Sequence, residues 1–184
     1  LRHGRGLHPS EPNIIDPLRV DLINVGYNVF SLQLPVLEKG KSYNEYVKIF
    51  KYSDTRIESA LNYIDSKKII IIAHSCGAHM LLSFIDNMGI GNISGIVLLG
   101  AGAVDKGQAM KTDINLSNYK IPVLNIYAEY DHNSVKQFAD VLKLQYSISQ
   151  DKYLNALEVN SADHNYKDQT YTLIESVKKW LKAL

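Results

Sequence analysis

The chain has 184 residues, 46% hydrophobic and 21% charged, with a formal net charge of +1. This describes one domain with enough apolar content for a substantial core, and it lacks the basic footprint of a nucleic-acid binder. The longest uninterrupted apolar run, Gly95 to Val104, is about half of the ~20 residues that a membrane helix needs. A single cysteine, Cys76, excludes an intramolecular disulfide and fits either a reducing cytoplasm or an export compartment.

In chain order, Leu1 to Ser10 (LRHGRGLHPS) reads as a loop. Asp16 is placed to cap a helix that has Pro17 at its first position, Leu18, Leu22 and Ile23 on its apolar face, and Gly26 at its end. Residues 28–34, NVFSLQL, read as a strand stopped by Pro35. The polar, tyrosine-rich stretch to about Ser53 suggests a surface excursion. Thr55 with Glu58 forms a capping box before a helix striped by Ile57, Ala60, Leu61 and Ile64. Four consecutive isoleucines, 69–72, then read as a strand buried on both faces. Met80, Leu81, Phe84, Ile85 and Met88 recur at helix spacing until Gly89 and Gly91. Ile93 to Gly100 is another apolar strand, and a loop from Ala101 to Lys120 leads to a strand at 122–127. A helix with Val135, Phe138, Ala139 and Leu142 on one face follows, then a strand near Tyr153 to Val159. A last helix is expected to start at Asp168, capped by that residue. Such alternation predicts an α/β fold over residues 1–184: an open, mostly parallel sheet with helices on both faces and its chemistry at the carboxyl ends of the strands.

The junction of the isoleucine strand with its helix, Ala73-His74-Ser75-Cys76-Gly77, has the form of a nucleophile elbow, in which the positions two before and two after the serine must be small. A bare A-x-S-x-G string also fits an ordinary turn with a capping serine; the strand before it and the helix after it favour the elbow. An acid and a base follow at later strand ends, Asp131 and then His164. In that order His164 takes the proton of Ser75, and Asp131 sets the tautomer of the imidazole. Glu129 and Asp163 are weaker candidates for the acid. His132 reads as surface, and His74 and His79 as structural histidines. No spacing among the six histidines makes a metal site. The oxyanion of acyl transfer needs two donors, for which the Cys76 amide and the Arg5 amide in His3-Gly4-Arg5-Gly6 are placed. A surface turn is the duller reading of those glycines. Cys76 as nucleophile would put His74 at a position that must be tight, so Ser75 is preferred.

Taken together, HGRGLHP, SLQLPVL, AHSCGAHM, ISGIVLLG, PVLNIYAEYDHNSV and SADHNY make the chain resemble an α/β-hydrolase, and in particular a family of uncharacterised bacterial α/β-hydrolase-like proteins. The resemblance supports the fold and the triad Ser75, Asp131, His164, and says little of the substrate. The loop after Gly100 leaves no room for a large cap domain, so the site should be open, bounded by Arg5, His8, Gln33 and the tyrosine-rich stretch. The expected activity is hydrolysis of a small-molecule ester, thioester or comparable acyl bond through an acyl-enzyme on Ser75, without cofactor or metal. Acyl transfer from the same intermediate and a non-catalytic binding or scaffold role are the alternatives. The Arg5 guanidinium, at the mouth of the site, would favour anionic substrates. In the superfamily the strand before the HG loop lies between the strand at 28–34 and that at 69–73, and here only Leu1 and Arg2 represent it. Strands hydrogen-bond at about 4.7–4.9 Å, so a gap of roughly 9–10 Å is expected between those two, with upstream residues supplying the strand.

Overall fold

The computed structural model describes residues 1–111, 114–149 and 153–184. The isoleucine run forms Ile69–His74 (β1), which pairs in parallel with Ile93–Leu99 (β2), then Val123–Tyr130 (β3) and Leu154–Asp163 (β4), in the spatial order β1-β2-β3-β4. Successive side chains on a strand point to opposite faces, and both faces are apolar here. Ile71, Ala73, Ile96 and Leu98 enter one core with helices Phe50–Tyr63 (α3), Cys76–Met88 (α4) and Asn133–Ile148 (α5). Ile72, Val97, Leu99 and Ile126 enter the other with Ile15–Asn24 (α1) and Thr170–Lys182 (α6). The predicted sheet, parallel and covered on both sides, is what forms. Among the described residues no helix is long and apolar enough to cross a membrane.

Several expected element ends move, because caps come from groups that local pattern does not single out. The start of α1 is capped by Glu11, whose carboxylate accepts from the amides of Asn13, Ile14 and Ile15 at 2.7, 2.9 and 3.3 Å. Asp16 lies inside the helix and pairs with Arg19 instead. The capping box is found at Ser42 and Glu45, opening the short helix Tyr43–Val47 (α2) within the tyrosine-rich stretch. Thr55 and Glu58 lie inside α3, which already starts at Phe50. Asp168 does not cap α6; Gln169 precedes it without a side-chain cap. Ile23, expected on the inner face of α1, is exposed.

The stretch 28–34 does not become a full strand. Arg2 bridges both Leu32 and Ala73, so the chain start lies between that stretch and β1, in the expected order. The Arg2 amide donates to Ile72 O at 2.9 Å, and Leu32 N donates to Leu1 O at 3.0 Å. Val29 and Phe30 do not pair with Ile69 to Ile71; a cleft of about 760 Å³ separates them, lined also by Leu22, Ile57 and Leu61.

Candidate active site

At the carboxyl end of β1 the chain reverses into α4 within one residue, Ser75, whose φ of 50° and ψ of −122° lie where non-glycine residues are strained. Such a conformation costs on the order of 1–3 kcal/mol and persists only where the surroundings enforce it. They do so here. Gly77 has no space for a side chain: a Cβ there would stand 2.3 Å from the carbonyl oxygen of His3. Ala73 is fully buried, so the methyl that replaces the commoner glycine is accommodated.

Above that turn the three predicted residues meet. His164 Nε2 lies 2.9 Å from Ser75 Oγ, and His164 Nδ1 lies 2.7 Å from Asp131 Oδ1. A carboxylate only accepts, so Nδ1 carries the proton and Nε2 accepts from the Ser75 hydroxyl. Asp131 Oδ1 also accepts from the His132 amide at 2.9 Å, and Oδ2 from the Ala128 amide at 3.3 Å. Burial alone would raise this carboxyl, but the His164 hydrogen bond and charge, with the two amides, outweigh it and hold it below its ordinary value. The Glu129 carboxylate is taken up by the Ser161 amide at 2.7 Å. Asp163 is taken up by the amides of Asn165 and Lys167 in the turn beyond β4.

Both structural histidines brace this arrangement. His74 Nε2 donates to the carbonyl of His164 at 3.1 Å, tying the end of β1 to the loop that carries the base. Burial and the neighbouring His164 push His74 down to about 3, so it is neutral at physiological pH. His79 Nε2 accepts from the Gly102 amide at 2.8 Å and fixes the loop after β2; burial pushes it down to about 3 as well.

A cavity of about 200 Å³ opens over Ser75, lined by Gly4, Arg5, Leu7, Tyr43, Cys76, Val104, Asp105, His132 and His164 among others. Arg5 and Cys76 thus reach the site as expected. His8 and Gln33 do not line it, which corrects the expectation that they bound substrate. His8 is exposed. The Gln33 amide lies 3.1 Å from His3 Nε2 and donates to Leu34 O at 2.8 Å, so it belongs to the scaffold beneath. His3 Nε2 accepts from Leu34 N at 3.0 Å, and its Nδ1 faces Gly4 O at 2.9 Å. HGRG and SLQLP, the two strings that carry the narrower resemblance, are therefore bonded to each other. Arg5 departs from expectation in a second way. Its two terminal nitrogens hold both Asp105 oxygens at 2.8 and 2.7 Å, which leaves the guanidinium neutralised. That pair holds the Asp105 carboxyl down at about 2, and the Tyr43 amide also donates to it, at 2.6 Å. Burial pushes the Cys76 thiol up to about 12, consistent with a packing role.

Two features of the site escaped the sequence reading. A Cβ on Gly100, at φ +54°, would come within 2.9 Å of His164 Cε1, so this glycine makes room for the imidazole. Asp131, His132 and His164 each offer a ligand atom, and the three lie within 4.8 Å of one another. Spacing along the chain hides both, because β4 and its loop bring His164 back across the sheet.

Residues 9–167 match the family model described as alpha/beta hydrolase of unknown function (DUF900). No curated protein matches the sequence. Among solved structures, the chain is similar to the esterase EaEST from Exiguobacterium antarcticum, with 12% identity and a TM-score of 0.72, covering 98% of this chain and 90% of that one. It is also similar to Est1E from Butyrivibrio proteoclasticus, with 15% identity, a TM-score of 0.68 and coverage of 98% and 85%. The esterase RhEst1 from Rhodococcus sp. ECU1013 has 14% identity, a TM-score of 0.68 and coverage of 100% and 89%. At such identities the likeness is one of fold.

Proposed function

This chain belongs to the family of α/β hydrolases of unknown function (DUF900) matched by residues 9–167, and from that premise we propose that it is a serine hydrolase that cleaves an ester, thioester or comparable acyl bond of a small molecule. The observation that carries the reading is the continuous hydrogen-bond chain Asp131–His164–Ser75, at 2.7 and 2.9 Å, beneath an open cavity. His164 Nε2 takes the hydroxyl proton as Ser75 Oγ attacks the acyl carbon, and Asp131 stabilises the imidazolium formed. The developing oxyanion is met by the Cys76 amide at the N-terminus of α4, where the helix dipole favours negative charge, and by the Arg5 amide. His164 returns the proton to the leaving group. It then activates a water that releases the acyl group and restores Ser75. The similar fold of three esterases agrees with this chemistry.

The direct test is labelling with a fluorophosphonate, which reacts with a base-activated serine. Label is expected on Ser75, with none on the Ser75→Ala or His164→Ala proteins. Folded wild-type protein that takes no label would instead point to a non-catalytic role.

A further inference from the structure

His132 follows Asp131 directly and is exposed, yet its ring stands over that of His164, with centroids 4.9 Å apart and planes at 62°. Its own amide is anchored on Asp131 Oδ1 at 2.9 Å, which fixes the backbone of His132 against the carboxylate. One carboxylate oxygen and two imidazole nitrogens within 4.8 Å of one another form a donor set for a borderline divalent ion. Zinc holds such ligands at about 2.0–2.2 Å. In a tetrahedral arrangement that places neighbouring donors roughly 3.4 Å apart, so His132 closes on the ion by little more than an ångström while the Asp131–His164 pair, now at 2.7 Å, opens by roughly 0.7 Å. The exposed His132 side chain is free to supply that shift by rotation.

We propose that Asp131, His132 and His164 form an inhibitory zinc site, in which the ion and the Ser75 proton compete for the same imidazole. Neutral His164 has one ring proton, on Nδ1 facing Asp131. The ion takes the Nδ1 lone pair, and the proton moves to Nε2. Bonds form from the metal to Asp131 oxygen, His132 nitrogen and His164 Nδ1, with water completing the tetrahedron. The Nδ1–H bond to Asp131 and the Ser75 hydroxyl bond to Nε2 are lost, with no net change in protons. With Nε2 now a donor, nothing accepts the Ser75 proton, and attack stops until the ion leaves. His132 adds a third ligand to a pair that is also the acid and base of the site. The residue read as plain surface thereby becomes the determinant of metal sensitivity.

The inhibitory consequence rests on the proposed serine mechanism; the binding does not, so the two are measured separately. Zinc binding to the Ser75→Ala protein is followed by competition with a chromogenic chelator. One ion per chain is expected, and adding His132→Phe, which keeps a ring beside His164, should weaken binding at least tenfold. In the second arm fluorophosphonate labelling of wild-type Ser75 is titrated with zinc and then treated with a chelator. Each protein is compared with its own metal-free rate. Labelling should fall as zinc is added and recover fully on chelation, and His132→Phe should shift the midpoint by the same factor. Zinc bound equally well with and without His132, or no binding up to millimolar metal, would overturn the site. Tight binding that leaves Ser75 labelling untouched would refute the inhibition.

Discussion

Lowering the pH from 7 to 5 should destabilise this protein by about 4 kcal/mol through two buried histidines outside the Ser75–His164–Asp131 chain. His74 and His79 are 1% and 0% exposed, and each is pushed from an ordinary 6.5 down to about 3. Burial is the main cause for both; His74 also faces His164, Asp131 and His3, and His79 faces His164 and Arg5. Because the folded-state value is lowered, the unfolded chain binds more protons between about pH 3 and 6.5. Stability therefore rises with pH through that window and is fully present above it. Between pH 7 and 5 an unfolded histidine goes from mostly neutral to almost fully charged while the folded one stays neutral. Integration gives about 2 kcal/mol for each residue. The figure hardly depends on how far below 5 the folded values lie. His3, also lowered by burial, adds in the same direction. Against a typical domain stability of about 5–15 kcal/mol the loss is large. Urea unfolding at the two pH values measures it. In His79→Gln the amide oxygen can still accept from Gly102 N while the titrating group is gone, so the difference should shrink by about 2 kcal/mol. Equal stability at pH 7 and 5, or an unchanged difference in His79→Gln, would refute the reasoning.

Asp131→Asn should leave unfolding by urea nearly unchanged while turnover of a fluorogenic ester falls on the order of 10⁴-fold, since an amide cannot hold the productive tautomer of His164; full activity would mean another group orients the base. Gly100→Ala places a methyl 2.9 Å from His164 Cε1, and kcat should drop about 100-fold through the displaced imidazole, with circular dichroism unchanged. Arg5→Ala should not alter the preference between neutral and anionic esters, because Asp105 already neutralises the guanidinium. Asp105→Asn should raise kcat/KM for anionic esters, and a strong loss of anionic selectivity in Arg5→Ala would show that the pair opens to substrate. The cavity over Ser75 is small, about 200 Å³. Rates along a series of nitrophenyl esters should therefore be highest for short acyl chains and fall as the chain lengthens.

What the sequence determined by itself is what short-range physics writes into neighbouring residues. Four β-branched residues running into small-x-Ser-x-small specify a buried strand, a tight reversal and a helix, whatever lies elsewhere. The alternation of strand and helix then makes the sheet parallel and sends Asp131 and His164 to its carboxyl edge. Which side chains meet there depends on how the folded chain packs. Glu11 displaced Asp16 as the cap of α1, and Gln33 left the site to brace His3. Asp105, 100 residues from Arg5, neutralised the guanidinium. Gly100 proved to be the floor on which His164 rests, and His132 proved to be its neighbour. Apart from the Glu11 cap, which reaches two to four residues along the chain, each of these contacts joins residues far apart in sequence, and their strength depends on distances of a few ångströms. Local propensity carries no such information, because the same glutamine, glycine or arginine fits many loops equally well until the fold has placed its partner.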